Sequence, residues 1–163
     1  MKGGVKMGEN LTKKVEGQVV IFTLNRQQYG VDIAKVYEII RMPAITPIPH
    51  APYFVEGVIN LRGKIIPVID LRKRFGMSEI ERDKATRIIV VDVDGLTVGM
   101  IVDSVMEVFR LQEATLEPAP SLLNSEIDTA FIQGIAVKEE RLIILLDLNR
   151  VLKGEEKEML VNI

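Results

Sequence analysis

Few side chains in this 163-residue chain have the type and spacing that catalysis or metal binding requires. The single histidine, His50, lies in a proline-rich stretch with no cysteine or carboxylate at a metal-ligand spacing. Since the chain has no cysteine, it can form neither a disulfide nor a thiolate metal site. No phosphate-binding loop, nucleophile elbow or zinc-protease motif occurs. The sequence therefore predicts a protein that is not an enzyme and uses no metal and no cofactor.

The remaining charged groups fit structural roles. Asp70 and Asp147 each precede a short predicted helical turn, where a carboxylate accepts hydrogen bonds from free backbone N–H groups as an N-cap. The basic run at residues 72–74 has no aromatic side chains interleaved with it, whereas a nucleic-acid groove normally combines cations with stacking residues. We therefore expect this run to be a solvated helix face and predict no nucleic-acid partner.

Composition supports a soluble globular protein. Hydrophobic residues make up 47% and charged residues 27%, and the net charge of −2 gives no general attraction to nucleic acid or anionic membranes. No apolar run reaches the roughly 18–20 residues that a membrane span needs, so we predict no membrane insertion. Residues 1–16 are expected to be a flexible tail without a secretory signal, residues 154–163 a second tail, and the location cytoplasmic.

The elements that must position any site come from an internal repeat. Residues 54–71 align with residues 131–148 at an offset of 77, and residues 30–49 align with residues 99–118 at an offset of 69. An insertion near residues 121–129 accounts for the change of offset. Two diverged copies of one unit predict two lobes of the same architecture.

Each copy predicts about five short strands. Arg62-Gly63 and Asp94-Gly95 mark hairpin turns, because glycine there supplies the positive φ that such turns need. Asp32 is expected to cap a helical turn before an extended segment that ends at Pro43, and a helix across residues 33–41 is the competing prediction. A barrel of this size buries too little apolar area alone, so we expect the lobes, at about residues 17–84 and 85–153, to pack on each other.

Several blocks, in order, resemble the CheW family of bacterial chemotaxis coupling proteins. They are YGVDI at residues 29–33, VYEI at 36–39, TPIP at 46–49, GVINLRGKIIPVIDLR at 57–72, VGMIVDSVMEV at 98–108 and EPAP at 117–120. The block at residues 57–72 is the most specific of them. The resemblance covers residues 17–153, which would form one CheW-like domain.

The resemblance implies a mostly β fold of two pseudo-repeated five-stranded SH3-like barrels packed together, with short helical turns. It also implies a non-catalytic scaffold that couples the cytoplasmic tips of chemoreceptors to the regulatory domain of the histidine kinase CheA, recruited to membrane-associated chemoreceptor arrays. A double barrel that binds a small ligand or nucleic acid is the alternative, because these barrel types are confused in sequence.

The same resemblance implies a receptor-binding groove between the barrels. Five of the positions that match the family's motifs are apolar, and two charged positions lie beside them: Val20, Ile33, Val36, Ile39, Val105, Glu38 and Arg62. Arg62 differs between the copies, since Glu139 takes its place, whereas Glu38 is matched by Glu107. The apolar members could equally be core residues, and Arg62 could be a solvated turn residue.

Kinase contact is implied at the ends of both barrels. The matching positions open the first strand of the second copy and flank its proline-containing link: Thr86, Arg87, Glu117, Ser121 and Leu122. Glu117 and Ser121 depart from the family pattern. The resemblance therefore predicts where this contact lies, rather than which individual residues make it.

Overall fold

A computed structural model describes residues 17–118 and 129–162. The strands are β1 (Gln18–Leu24), β2 (Gln27–Asp32), β3 (Val36–Arg41), β4 (Val55–Leu61), β5 (Lys64–Asp70), β6 (Arg87–Val93), β7 (Leu96–Val102), β8 (Ser104–Arg110), β9 (Thr115–Glu117), β10 (Ile132–Lys138) and β11 (Arg141–Leu146). The α-helices are α1 (Leu71–Arg74) and α2 (Gly154–Val161), and 3-10 turns occur at Ile33–Lys35, Leu111–Glu113, Thr129–Phe131 and Leu148–Arg150. The expected tail at residues 1–16 lies outside the described residues.

The strands form two sheets that curl into barrels. Barrel A has the strand order β8-β1-β2-β11-β10-β9, and barrel B has the order β3-β6-β7-β5-β4. In barrel B the chain that leaves β3 pairs with β4, because Thr46 and Val58 exchange backbone hydrogen bonds of 2.9 Å. In barrel A the strands at the two ends of the order, β8 and β9, are joined by the short turn Leu111–Glu113. This is the mostly β, double SH3-like barrel that the resemblance implied, with six strands instead of five in barrel A.

The two copies exchange strands, which the sequence did not predict. Strands β1 and β2 of the first copy pair with β8 and β11 of the second, and β3 and β5 of the first copy pair with β6 and β7 of the second. The sheets therefore do not correspond to residues 17–84 and 85–153, and that division into lobes along the sequence is wrong. The same strand order recurs in both sheets, as a repeat requires.

Strand alternation divides the apolar side chains among three clusters. Along β1, Val19 and Ile21 point into barrel A, whereas Val20 and Phe22 point into the core between the barrels. Along β6, Ile88 points into barrel B and its neighbour Ile89 into the shared core. Because successive strand residues face opposite sides, each central strand is apolar on both faces. The shared core is the largest cluster and fixes one barrel on the other.

Arg74 lies near the pseudo-twofold axis of this shared core. Its guanidinium carbon is 4.8 Å from the ring centroid of Phe54 and 4.7 Å from that of Phe131, which are equivalent residues of the two copies. Arg74 Nε donates a hydrogen bond of 2.7 Å to the carbonyl of Val151, its own equivalent at offset 77. The side chains of Arg72, Lys73 and Arg74 are only 9%, 14% and 11% exposed, so the prediction of a solvated helix face is wrong.

Local predictions around the turns are confirmed. Arg62 and Gly63 have φ values of 50° and 87°, and Asp94 and Gly95 have 52° and 91°, as expected for type I′ hairpins. The carboxylate of Asp32 accepts a hydrogen bond from the N–H of Ala34 at 2.9 Å, and β3 follows as a strand, so the competing helix is excluded.

The N-caps are confirmed, but the C-terminal helix is not where the sequence placed it. Asp70 accepts from the backbone N–H of Arg72, and Asp147 accepts from that of Asn149. The sequence predicts a short helical turn after Asp147 and a tail at residues 154–163. Instead α2 begins at Gly154, with Leu160 only 3% exposed against the shared core. Burial of Leu160 provides the tertiary contact that a helix this short needs.

Candidate functional site

Strand β3 presents apolar side chains at the edge of barrel B. Val36 lies opposite Val91, and Ile39 lies opposite Ile89, and both partners belong to the shared core. Residues opposite each other in an antiparallel pair share a face, so Val36 and Ile39 extend that core towards solvent. Val36 is half-buried and Ile39 is 40% exposed. We call these two residues the β3 strip.

Strand β8 presents the equivalent strip at the edge of barrel A. Val105 lies opposite Phe22, and Val108 lies opposite Val20. Val105 is half-buried against the shared core, and Val108 is 49% exposed. Sequence reasoning missed Val108, although the offset of 69 makes it the counterpart of Ile39. Val105 and Val108 form the β8 strip.

Two further predicted groove residues have different environments. Ile33, at the start of the 3-10 turn before β3, is 36% exposed and lies at the surface. Val20 is only 2% exposed and belongs to the shared core. A partner cannot reach the side chain of Val20, so for this residue the core interpretation holds.

Glu38 and Arg62 form an ion pair at the mouth of barrel B. Arg62 Nη1 donates to Glu38 Oε1 at 3.2 Å, and Nη2 donates to Oε2. The hydrogen bond to Glu38 raises the pKa of Arg62, so the guanidinium stays charged. The Arg62 side chain is nevertheless 71% exposed, because its turn holds it above the barrel. Glu38 therefore orients the Arg62 guanidinium, which remains accessible to a carboxylate or carbonyl acceptor on a partner.

The second copy keeps the glutamate but takes its arginine from another position. Arg141 Nη2 lies 3.3 Å from Glu107 Oε2. Arg141 corresponds to Lys64 of the first copy, and Glu139 occupies the place of Arg62. A glutamate at this position thus serves the fold in both barrels, whereas the exposed arginine at the turn is particular to barrel B.

The predicted kinase-contact residues are spread over both barrels. Thr86 is 6% exposed, and its hydroxyl accepts a hydrogen bond of 3.0 Å from the N–H of Asp83. Arg87 Nη1 donates to the carbonyls of Lys84 and Thr86 at 2.6 and 2.9 Å. Glu117 is exposed in β9, on barrel A. The structure gives Thr86 a structural role, and of this group it leaves Arg87 and Glu117 reachable at the surface.

Ser121 and Leu122, the other two predicted kinase-contact residues, lie outside the described residues. So does most of the insertion predicted near residues 121–129.

An ionic network joins β4 and the N-cap of α1 to the segment that follows α1. Lys73 Nζ is 2.8 Å from Glu56 Oε2, and Arg82 Nη2 is 2.6 Å from Glu56 Oε1 and 3.2 Å from Asp70 Oδ2. These contacts tie the segment after α1 to the barrel. Through Arg82 they hold in place the segment that leads to Arg87, the first residue of β6.

Acid is expected to weaken this network through Glu56. Burial raises the pKa of the Glu56 carboxyl, but hydrogen bonds from Lys73 and Arg82 outweigh it and hold the pKa below 4.5. Because the folded-state pKa lies below the unfolded one, the stabilisation is complete above about pH 4.5 and is lost as the pH falls through the folded value. Urea unfolding should show the gap in stability between wild type and Glu56→Gln shrinking between about pH 5 and pH 3. A constant gap would mean that the carboxylate charge contributes nothing.

In the part of the chain that the structure describes, no helix is both long and apolar enough to cross a membrane. Across the same residues, no three acidic or histidine side chains come together in a way that could hold a metal ion.

The fold and its surfaces define the class of protein: a double SH3-like barrel with exposed apolar strips at the edges of both barrels. The sequence profile described as "CheW-like domain" matches residues 18–156, and the chain belongs to this family. The chemotaxis protein CheW of Klebsiella aerogenes is 35% identical over 163 residues, covering 100% of this chain and 98% of that protein. CheW of Bacillus subtilis is 34% identical over 161 residues, covering 99% and 97%.

A solved structure agrees with these relatives. The crystal structure of the scaffolding protein TtCheW from Thermoanaerobacter tengcongensis superposes with a TM-score of 0.78. It is 44% identical in sequence, with 88% of this chain and 97% of that chain covered. The resemblance to CheW stated from the motifs is thereby confirmed.

Proposed function

We propose that this protein is a cytoplasmic, non-catalytic adaptor that holds chemoreceptor cytoplasmic tips and the histidine kinase CheA together in membrane-associated arrays. The β3 and β8 strips, with Ile33, are the receptor surface, and Glu38 and Arg62 are its polar edge. Arg87 and Glu117 belong to the kinase surfaces. The observation that carries the proposal is the pair of repeat-equivalent strips, because each continues the shared core outwards as exposed apolar surface.

The receptor partner suggested by these strips is an amphipathic helix. Such a helix buries an apolar face in a groove and keeps its polar face in water. Ile39 and Val108 are large apolar residues that are 40% and 49% exposed, and they are related by the repeat. Surface of this kind commonly marks a protein interaction site.

The nucleic-acid alternative gains no support from the basic run at residues 72–74. Arg72, Lys73 and Arg74 formed the basic run that could have contacted phosphates. Each of them is paired with a carboxylate of the same chain, at 2.8 Å for Arg72 and Lys73 and 3.3 Å for Arg74. Cations held in this way do not form a basic stripe for a nucleic-acid backbone.

Arg62→Ala is expected to weaken binding of a chemoreceptor cytoplasmic fragment by about ten- to hundredfold, because a charge-assisted contact with fixed geometry is lost. Binding of CheA and the midpoint of thermal unfolding should stay close to wild type, since the Arg62 side chain is 71% exposed. Isothermal titration of each partner against each variant measures both effects.

The matched control is Glu139→Ala, at the equivalent turn of the second copy, which should leave receptor binding unchanged. Equal receptor affinities for wild type, Arg62→Ala and Glu139→Ala would show that Arg62 is a solvated turn residue.

A further inference from the structure

The mouth of barrel B is an open cleft with an apolar floor. Leu61, Ile66 and Val90 line it, and all three pack in the apolar cluster inside that barrel. Ile66 is 3% and Val90 1% exposed, so they form the floor, while Leu61 is half-buried at its edge. The cleft has a volume of about 490 Å³, more than one leucine or phenylalanine side chain needs.

The equivalent mouth of barrel A is covered by cations. Lys138, at the position of Leu61, has Nζ 5.4 Å from the centroid of the Phe109 ring. Arg141, at the position of Lys64, has its guanidinium carbon 5.6 Å from the same ring and donates a hydrogen bond of 2.9 Å to Gln28 Oε1. Since a cation over an aromatic face is attracted to it, these two side chains shield the ring from solvent. In barrel B a half-buried leucine, Leu61, stands where barrel A has Lys138, so the edge of this mouth is apolar and carries no cation at that position.

The rim of the open mouth carries a net positive charge. Its charged residues are two cations, Arg62 and Lys64, and one carboxylate, that of Glu38. Both terminal nitrogens of Arg62 already donate hydrogen bonds to this carboxylate. Among residues 17–118 and 129–162, no carboxylate pairs with Lys64. An occupant of this mouth should therefore combine an apolar side chain with a carboxylate.

The mouth adjoins the β3 strip. Tyr37, which is 62% exposed, lies on its rim, directly between Val36 and Glu38 in β3. The register of β3 against β6 shifts between Val36 and Glu38, so Tyr37 occupies a bulge. A bulge re-aims a side chain relative to simple alternation. One edge strand thus presents the strip on its outer face and the mouth on its inner face.

We propose that the mouth of barrel B receives an apolar side chain from a chemoreceptor tip helix, while a carboxylate of that helix pairs with Lys64. The inference rests on the proposed receptor function and adds a specific pocket to it. The helix lies across the rim at β3, so its apolar residues contact Ile39 outside the barrel and Leu61 inside its mouth. Barrel A cannot offer the same pocket, because Lys138 and Arg141 cover it.

The test is a titration of a chemoreceptor cytoplasmic fragment against wild type, Leu61→Gln and Leu142→Gln. Leu61→Gln removes apolar surface from the mouth without changing charge and should weaken binding about tenfold. Leu142 is 53% exposed on barrel A, so the same substitution there is the matched control and should leave affinity unchanged. Methyl NMR of Leu61, Ile66 and Val90 in the wild-type protein should show shifts when the fragment is added.

The outcomes separate this inference from the proposed function. If wild type binds the fragment, but Leu61→Gln binds equally well and the three methyl groups do not shift, the pocket is not used and only this inference fails. If wild type does not bind at all, the receptor function fails and the inference fails with it. Should Leu61→Gln unfold, Tyr37→Gln at the exposed rim replaces it, and the methyl shifts decide independently of any variant.

Discussion

Replacing Gly57 with alanine is expected to lower the free energy of unfolding by about 3–5 kcal/mol, among the largest effects of any single substitution. A Cβ atom at this position would lie 2.0 Å from the carbonyl oxygen of Thr46 and 2.7 Å from its carbonyl carbon. Both are backbone atoms and cannot move aside as a side chain could. The φ of Gly57 is also +146°, a value that L-residues rarely adopt.

The alanine variant would lose stability at the place where the two ends of the sheet meet and close barrel B. Thr46 and Val58 exchange two hydrogen bonds of 2.9 Å, and these join the chain after β3 to β4. Relieving the clash at Gly57 means separating these segments, so the barrel would open where it closes.

Gly63→Ala is the matched control, measured by urea unfolding alongside Gly57→Ala. Gly63 also has a positive φ, +87°, but a Cβ there would meet nothing within 4 Å. Only the backbone strain remains, and it should cost about 1 kcal/mol. Equal losses for the two variants would show that the contact with Thr46 relaxes without breaking the closure.

The second large effect is expected for Arg72→Ala, which should destabilise the fold by about 3 kcal/mol. Arg72 Nε and Nη2 each donate a hydrogen bond of 2.8 Å to the two carboxylate oxygens of Asp103, and Nη1 donates one of 2.6 Å to the carbonyl of Ser78. The Arg72 side chain is 9% exposed and that of Asp103 is 21% exposed. Removing the arginine leaves a partly buried carboxylate without its cation, a more costly state than losing both partners.

A double-mutant cycle tests this reasoning. Arg72→Met combined with Asp103→Leu should be less destabilising than the sum of the two single changes, because neither charge is then left alone. Arg150→Ala is the surface control, since its side chain is 65% exposed and its pair with Asp147 spans 3.5 Å. It should cost about 0.5 kcal/mol or less. Additive losses in the cycle would mean that Arg72 and Asp103 act independently.

Most local structure could be predicted from the sequence, because it depends on nearby residues. Asp32 caps its turn through the N–H of a residue two positions away. The turns at Arg62 and Asp94 depend on the glycine that follows each of them. Such contacts need no knowledge of the rest of the fold.

The exchange of strands could not be predicted, since both copies carry the same apolar pattern. Strand β1 buries Val19 and Val20 on opposite faces whether its neighbour is β3 or the equivalent β8. Pairing within a copy and pairing between copies therefore satisfy the same alternation, and only the packing of the whole chain distinguishes them.

The candidate site was predictable only in part, because some of its contacts depend on how distant strands come together. The motif placed Glu38 and Arg62 near each other, but their strands lie towards opposite ends of the sheet order, and only barrel closure brings them into contact. Tyr37 lies in a bulge, where alternation no longer tells which way a side chain points. Arg74 looked solvated because the sequence does not show that the rings of Phe54 and Phe131 flank it.

The exchanged strands also determine when each barrel can form during synthesis on a ribosome. Every strand of barrel B has been made once Val102 is joined to the chain, but barrel A needs β11, which ends at Leu146. Strands β1 and β2 form a hairpin that is the first to emerge, and β2 has no parallel partner until β11 has been made. Gln28 in β2 pairs with Ile143 in β11, about 115 residues later in the chain. Chains elongate at about 5–20 residues per second, so this hairpin has several seconds during which its apolar faces need protection.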